Sequence, residues 1–283
     1  MTATRTRQLE QVLAEVETWE PSTVAIGLTD AAAPVATHGP VDEVFWLASV
    51  SKPISAYGVL LAVQHGDLNL DEPVDVDGAT EVVTVRHLLA HAGGLPPEPS
   101  GPWTAPERRR VYCDWAYELL GDLVATRTGL AFEEYLELEV FGPLGMSDSH
   151  LGGPAGHGVH GSVADLLRFG RELLDPDLLD AALLAEATEV AFPGLDGVVP
   201  GFGRQTPNDW ALGFEVRGSK TDHWMGTRLP AGTFGHFGLA GSFLWVDPER
   251  GIATAELADQ RFGPWAVEAW GPFNDRVVAA LDR

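Results

Sequence analysis

The sequence predicts an α/β (α+β) fold: an antiparallel sheet flanked by N- and C-terminal helices, with an inserted all-helical subdomain. Three observations predict it. The two ends of the 283-residue chain mirror each other, each joining an amphipathic helical stretch to two short apolar runs around a turn. The middle repeats its apolar residues at helical spacing. Three of those helical segments stop at glycine, where a chain commonly leaves a helix through a left-handed conformation. The expected organisation is one domain over residues 1–283, with an α/β part from about 1–54 and 190–283 and a helical part from about 55–189.

Taken in order, Leu9, Val12, Leu13 and Val16 fall at i, i+3, i+4 and i+7, the stripe of a helix that docks on something larger. "STVAIGLT" and "APVATHG" follow as β-branched runs parted by Asp30 and an Ala-Pro stretch, which predicts a hairpin. Four helical segments come next: "SAYGVLLAVQHG" ending at Gly66, "VRHLLAHAGG" ending at Gly93, "WAYELLGDLVATRTG" ending at Gly129, and "SVADLLRFGRELL". "HAGGLPPEPSGPW" and "FPGLDGVVPGFG" are Gly/Pro-rich loops. Near the far end, "GSFLWVDPERGIATAEL" sets two apolar runs about an Asp-Pro-Glu-Arg-Gly turn, and "DRVVAALD" closes the chain as a helix.

Composition narrows the function classes. Apolar residues make up 45% and charged residues 21%, which suits a packed core rather than disorder. A formal charge of −23 repels nucleic acid and anionic membrane surfaces, so neither is expected as a partner. The single Cys113 cannot close an internal disulfide. The first twenty residues contain two arginines but no apolar stretch of signal-peptide type, and no run approaches the ~20 apolar residues of a membrane span. A cytoplasmic protein is expected, of undetermined oligomeric state.

Chemistry concentrates in "WLASVSKPIS", residues 46–55, which holds one of only two lysines, Lys52 and Lys220, among 18 cationic side chains. Pro53 has no backbone donor and is tolerated in the first turn of a helix, so the helix running to Gly66 begins near Ser49. That start puts Ser49 at the positive end of the helix dipole. Residues three apart share a helix face, so the Lys52 amine can reach the Ser49 hydroxyl, whereas Ser51 faces elsewhere. An amine can accept that proton once burial lowers its pKa, and Phe45, Trp46, Leu47 and Ile54 are placed to bury it. A serine N-cap followed by an exposed lysine is the plainer alternative.

Further segments lie in a telling order: "VFWLASVSKPISA", "VRHLLAHAGGLP", "VYCDWAYELLGDLVATRTG", "EVFGPLGMSDS", "GSVADLLRFGREL" and "GHFGLAGSFLWVDPERG". Together, from about Asp42 to Gly251, they resemble the serine β-lactamase and penicillin-binding protein superfamily, in its class C β-lactamase-like and esterase branch. The resemblance implies a β-lactamase/transpeptidase-like fold with Ser49 as nucleophile and Lys52 as its partner. It implies Tyr112 as the second basic group or proton relay and His236 where other branches carry a lysine. Gly238 would let its strand approach the substrate, and the amides of Ser49 and Leu239 would form the oxyanion hole.

Some residues depart from the family pattern. Asp114 stands where the family's Tyr-x-Asn motif has asparagine. Facing the site, it would hold Lys52 charged and make Tyr112 the base; otherwise it caps the following helix. His236 is mostly neutral at pH 7 and attracts a substrate carboxylate less than lysine would, which favours neutral esters or amides. Lys220 begins "KTD" without the expected glycine and is read as a surface or loop residue. His87 and His91 lie at i, i+4 without the glutamate of a metal motif, so they are assigned to packing and no metal is expected. His157 and His160 stay unassigned. Cys113 is read as an inert buried thiol. Trp103, Trp115, Trp210 and Trp224 are candidates to line the pocket, with Trp103, Trp224, Asp114 and Gly238 as substrate-binding residues.

The expected activity is that of a serine hydrolase of carboxylesterase or β-lactamase-like type, cleaving a small ester or amide through an acyl-enzyme on Ser49 without any cofactor. A β-lactamase, D-aminopeptidase or acyltransferase using the same acyl-enzyme is one alternative. A catalytically silent ligand-binding protein on the same fold is the other.

Overall fold

Val24–Asp30 (β1) and Pro34–His38 (β2) form the expected N-terminal hairpin. Asp30 closes its turn: Oδ1 accepts the Ala32 and Ala33 amides, each at 2.9 Å. The computed structural model, which describes residues 3–282, joins this hairpin to four strands from the other end of the chain. These are Glu215–Val216 (β3), Phe234–Gly238 (β4), Ser242–Asp247 (β5) and Ile252–Ala258 (β6). The sheet order is β3-β4-β5-β6-β1-β2, antiparallel throughout, and β1 meets β6 from Val24↔Ala258 to Asp30↔Ile252.

Alternation along β6 explains the layers. Ala253, Ala255 and Leu257 point into a core shared with the helical segment, while Ile252 and Ala258 join a second core under the terminal helices. Ala3–Leu13 (α1) supplies Leu9 and Leu13 to that second core, and Val16 follows in a 3₁₀ turn, Ala14–Thr18.

In the middle of the chain, Ser51–His65 (α2) ends on left-handed Gly66, and Trp115–Thr128 (α4) ends on left-handed Gly129, as expected. Between them Val85–Leu89 (α3) is shorter than the sequence predicts. It stops at Ala90, not Gly93, because His91 already has a left-handed backbone (φ 53°). Val163–Leu174 (α5) begins on Ser162, whose Oγ accepts the Asp165 amide at 3.2 Å. Its other face lies across the sheet, supplying Val163, Leu166, Leu167 and Leu173 to the shared core. Pro264–Leu281 (α6) starts well before the predicted "DRVVAALD", since Trp265, Trp270 and Phe273 extend its buried face across Pro272.

The intervening segment is not wholly helical. Pro73–Val74 pairs with Val83–Thr84, and His150–Leu151 pairs with Val159–Gly161. The latter ladder also receives Phe45–Trp46, so this small sheet anchors the chain just ahead of Ser49. Among the described residues no helix is long and apolar enough to cross a membrane.

Candidate active site

Ser49 is held from both sides. Before it, the Leu47 amide donates to the Val159 carbonyl at 2.9 Å, and the Leu47 carbonyl accepts Ser242 Oγ of β5 at 2.9 Å. Trp46 Nε1 donates to the His157 carbonyl at 2.6 Å. Ala48 has a left-handed backbone (φ 46°), a strained conformation for a residue with a Cβ. Ser49 then lies in a 3₁₀ turn, Ala48–Val50, that runs directly into α2, with Pro53 in the first turn of that helix. Ser51 Oγ accepts the Val159 amide at 3.0 Å, a structural duty consistent with its facing away.

One turn on, Lys52 is fully buried. Its Nζ reaches three acceptors: Ser49 Oγ at 3.3 Å, Asp114 Oδ1 at 2.5 Å and the Gly156 carbonyl at 2.9 Å. Tyr112 Oη donates to the same Ser49 Oγ at 2.7 Å. Lys52 Nζ also stands 4.6 Å from the Tyr112 ring centroid, and the His91 ring packs against that phenol at 4.7 Å. One hydroxyl is thus shared by an amine and a phenol.

Asp114 faces the site. It sits at the N-cap of α4 without any side-chain capping bond, and its half-exposed carboxylate (48%) pairs with Lys52 instead. Burial lowers the Lys52 pKa, against the upward pull of Asp114. Burial also pushes the Tyr112 phenol well above its ordinary value, and Asp114 adds to that rise because a second negative charge beside a carboxylate is unfavourable. Both shifts run against the expectation that an Asp114 facing the site makes Tyr112 the base. Burial disfavours the Tyr112 phenolate and the Lys52 ammonium alike, which suits Tyr112 as donor and Lys52 as proton acceptor.

The end of β4 forms the opposite wall. A Cβ on Gly238 would lie 2.6 Å from the Leu47 carbonyl oxygen and 3.0 Å from the Ser49 nitrogen, so only glycine lets the strand approach this closely. Outside the bonds internal to helices and strands, no backbone carbonyl among the described residues accepts the Ser49 or Leu239 amide. Leu239 itself is 56% exposed at the rim. His236 is buried, its Nδ1–H donates to the Phe237 carbonyl at 2.6 Å, and its Nε2 has no hydrogen-bond partner among the described residues. Burial, with Lys52 assisting, lowers its pKa to about 4, so the ring is neutral and Nε2 offers a lone pair. A cavity of about 280 Å³ opens on Ser49, walled by Tyr112, Val199, Trp210, His236, Phe237 and Leu239.

Other residues lie elsewhere than expected. Trp224 is fully buried, and its Nε1 donates to Glu215 Oε2 at 2.8 Å, which turns the ring into the core beneath the terminal helices. Trp103 packs edge-to-face on Trp115 at 6.0 Å, and the Trp115 Nε1 is used by the Pro96 carbonyl. Neither Trp103 nor Trp224 lines the Ser49 cavity; Trp210 does. Lys220 is not a surface residue. It is buried, donating to the Asp209 and Val216 carbonyls and standing 3.5 Å from Glu215 Oε1. Glu215, missed in the sequence, borders the cavity. Burial raises its carboxyl, but His223 and Lys220 outweigh that and hold it down at about 2. No motif could have found it, because its partners lie across an irregular loop at spacings of five to nine residues.

The remaining decoys resolve simply. His87 caps α3 with Thr84 and stacks on Phe192 at 4.7 Å, while His91 turns toward Tyr112. Among the described residues no group of three or more His, Cys, Asp or Glu could hold a metal. His160 stacks on His150 at 5.3 Å. Cys113 is buried, and burial pushes its thiol up to about 12, so it stays protonated.

Comparison with known proteins identifies relatives of the whole chain and of parts of it. The profile of the family described as Beta-lactamase matches residues 17–277. A solved structure described as a β-lactamase from Mycobacterium bovis superposes with a TM-score of 0.91 at 42% identity, over 95% of this chain and 99% of that one. Penicillin-binding protein 4* of Bacillus subtilis is 26% identical over 139 residues, which is 39% of this chain and 31% of that protein. Esterase EstB of Burkholderia gladioli is 45% identical over 64 residues, 19% of this chain and 16% of that protein. The matched segments thus span less than a third of either curated relative.

Proposed function

Because the chain belongs to the Beta-lactamase family of serine β-lactamases and penicillin-binding proteins, we propose that it is a serine hydrolase that cleaves a small ester, or less readily an amide, through an acyl-enzyme on Ser49. The observation that carries this is the single Ser49 Oγ standing 2.7 Å from Tyr112 Oη and 3.3 Å from Lys52 Nζ. Three acceptors match the three donors of a Lys52 ammonium. In the neutral amine, two N–H groups stay on Asp114 and Gly156 and the lone pair faces Ser49. The proton on Ser49 then passes to Lys52 as Oγ bonds to the carbonyl carbon.

The carbonyl oxygen takes the electron pair and accepts from the Ser49 and Leu239 amides, where loss of one donor would cost about 3–4 kcal/mol of transition-state stabilisation. Collapse breaks the bond to the leaving oxygen. Tyr112 gives that oxygen its proton and recovers one from the Lys52 ammonium beside its ring. A water, deprotonated by the same pair, then releases the acid and free Ser49. No metal or organic cofactor enters this scheme.

Neutral His236 supports the preference for esters, since a buried ring with a free lone pair offers no cation to a substrate carboxylate. A fluorophosphonate probe with mass spectrometry tests the reading. An adduct on Ser49, abolished in a folded Ser49→Ala protein, is expected, together with turnover of a short p-nitrophenyl ester. A dead ester assay with efficient cephalosporin cleavage would make it a β-lactamase. No adduct on Ser49, with small ligands still bound, would make it a silent binding protein, its Lys52 locked by Asp114.

A further inference from the structure

A second cavity, of about 380 Å³, adjoins the Ser49 cavity and shares Tyr112, Val198 and Pro200 with it. Its charge is of the other sign. The Ser49 cavity is bordered by the carboxylates of Asp114 and Glu215, and the buried amines beside it, Lys52 and Lys220, are engaged by those two carboxylates. The adjoining cavity is lined by Arg109, Arg110 and Arg204, with Asp196 as the single carboxylate. In a chain of net charge −23 such a cluster opposes the overall field.

The three guanidiniums differ in duty. Arg110 is buried and spends its donors on the carbonyls of Ala90 (2.7 Å), Phe192 (2.9 Å), Asn208 (3.2 Å) and Ala191. It thereby pins the backbone that carries both Arg109 and Tyr112. Arg204 pairs with Asp196 at 2.5 Å, and the Asp196 carbonyl accepts the Arg110 amide at 2.8 Å. Arg109 is exposed and has no ion pair or hydrogen bond among the described residues. Val198, 62% exposed, stands at the boundary of the two cavities as an apolar threshold.

Resting on the Ser49 hydrolase reading, we propose that the Arg109/Arg204 cavity is a leaving-group subsite and that the substrate is an acyl ester whose leaving group carries a carboxylate or phosphate. Tyr112 sets the direction. Its Oη delivers the proton to the departing oxygen, so the leaving group lies on the Tyr112 side, and Tyr112, Val198 and Pro200 border the arginine cavity as well. The acyl group occupies the apolar space between Trp210, Phe237 and Leu239. A free Arg109 fork, with Arg204 adjacent, suits the two oxygens of a carboxylate or phosphate. Neutral His236 adds no cation beside Ser49, and Lys52 is paired with Asp114, so a charged leaving group is directed outward.

Kinetics on paired acetyl esters test this: 4-acetoxybenzoate and 4-acetoxyphenyl phosphate against the neutral methyl 4-acetoxybenzoate. The wild-type protein should favour the charged esters in kcat/KM through KM, and the larger preference of the two identifies carboxylate or phosphate. In Arg109→Ala that ratio should fall about tenfold, in Arg109→Glu further, and Arg109→Lys should restore part of it. Binding of phenyl phosphate and benzoate to the Ser49→Ala protein, followed by tryptophan fluorescence, gives the same ranking without catalysis. Turnover of the neutral ester with a ratio unmoved by the arginine variants would overturn the subsite and leave the Ser49 reading intact. Failure of every ester to acylate Ser49 would overturn that reading, and the binding series would still decide the subsite: equal affinity in Ser49→Ala with and without Arg109→Ala rejects it.

Discussion

Lys52 carries two opposed influences, and their balance sets the pH at which Ser49 can react. Burial favours the neutral amine, while Asp114 at 2.5 Å favours the ammonium. Because the neutral form is the base, kcat/KM should rise as pH rises through the lowered Lys52 pKa. Asp114→Asn removes the upward pull, so the rising limb should move to lower pH and the rate below it should increase. A limb that stays in place, or moves to higher pH, would show that Lys52 is not the titrating base. Lys52→Ala and Tyr112→Phe should each cost about two to four orders of magnitude in kcat/KM and combine with much less than additive loss, as expected of groups acting on one proton. Much of this site was legible in the sequence, because S-x-x-K on one helix face is a local relation. Tyr112, Asp114 and His236 entered by resemblance. Glu215 and the true setting of Lys220 were not legible, since a buried lysine satisfied by two backbone carbonyls leaves no trace in spacing.

At the scale of elements, close packing of β4 against the Ser49 turn explains why a glycine ends that strand. Gly238→Ala would push a methyl into the Leu47 carbonyl and the Ser49 amide. The expected outcome is a fall in acylation rate of about 10²–10³, the scale of losing one oxyanion donor, with an unchanged global fold by circular dichroism. Wild-type acylation in that variant would mean that the Ser49 amide is not part of the oxyanion site. On β6, Glu256 is fully buried with no hydrogen-bond partner for either oxygen among the described residues, and burial raises its pKa well above the ordinary value. Its carboxyl is therefore neutral in the fold. Stability linked to it is present below the unfolded pKa and is lost as pH rises through the folded one. Glu256→Gln should thus leave stability similar at pH 4 and raise it by about 1–3 kcal/mol at pH 8, read from urea midpoints. Equal changes at both pH values would show that the carboxyl is not held neutral. Helix ends were less legible than strands: α3 lost a turn to the left-handed His91, and α6 ran through Pro272, because tertiary packing overrode local signals at both places.

For the molecule as a whole, the sheet and the helical segment share one core rather than meeting at a polar interface. Leu244, Val246, Ala253, Ala255 and Leu257 of the sheet contact the same cluster as Leu60, Leu120 and Leu166 of α2, α4 and α5. Tyr57 of α2 also donates to Glu172 of α5 at 2.5 Å, and Glu172 further accepts the Leu178 amide at 2.9 Å. That bond lies within the helical segment, whereas separation of sheet from helices would expose the shared cluster, so the two parts should unfold together. The single sheet was implied by the mirrored ends of the sequence, yet the strand pairing that seats Phe45–Trp46 beside Val159–Gly161 was not, because two- and three-residue strands carry no periodic signal. A net charge of −23 acts against the whole compact state, since most of its acidic groups are not matched by cations. Raising NaCl from about 10 to 150 mM shortens the Debye length from about 30 to 8 Å and should raise the midpoint of a single thermal transition, each kcal/mol of relief being worth about 2–4 °C. Far-UV and near-UV signals should change together at both salt concentrations. Two separated transitions would show that the cluster joining sheet and helices does not couple them, and a midpoint that falls with salt would show that attractive ion pairs such as Arg86 with Asp71 outweigh the repulsion.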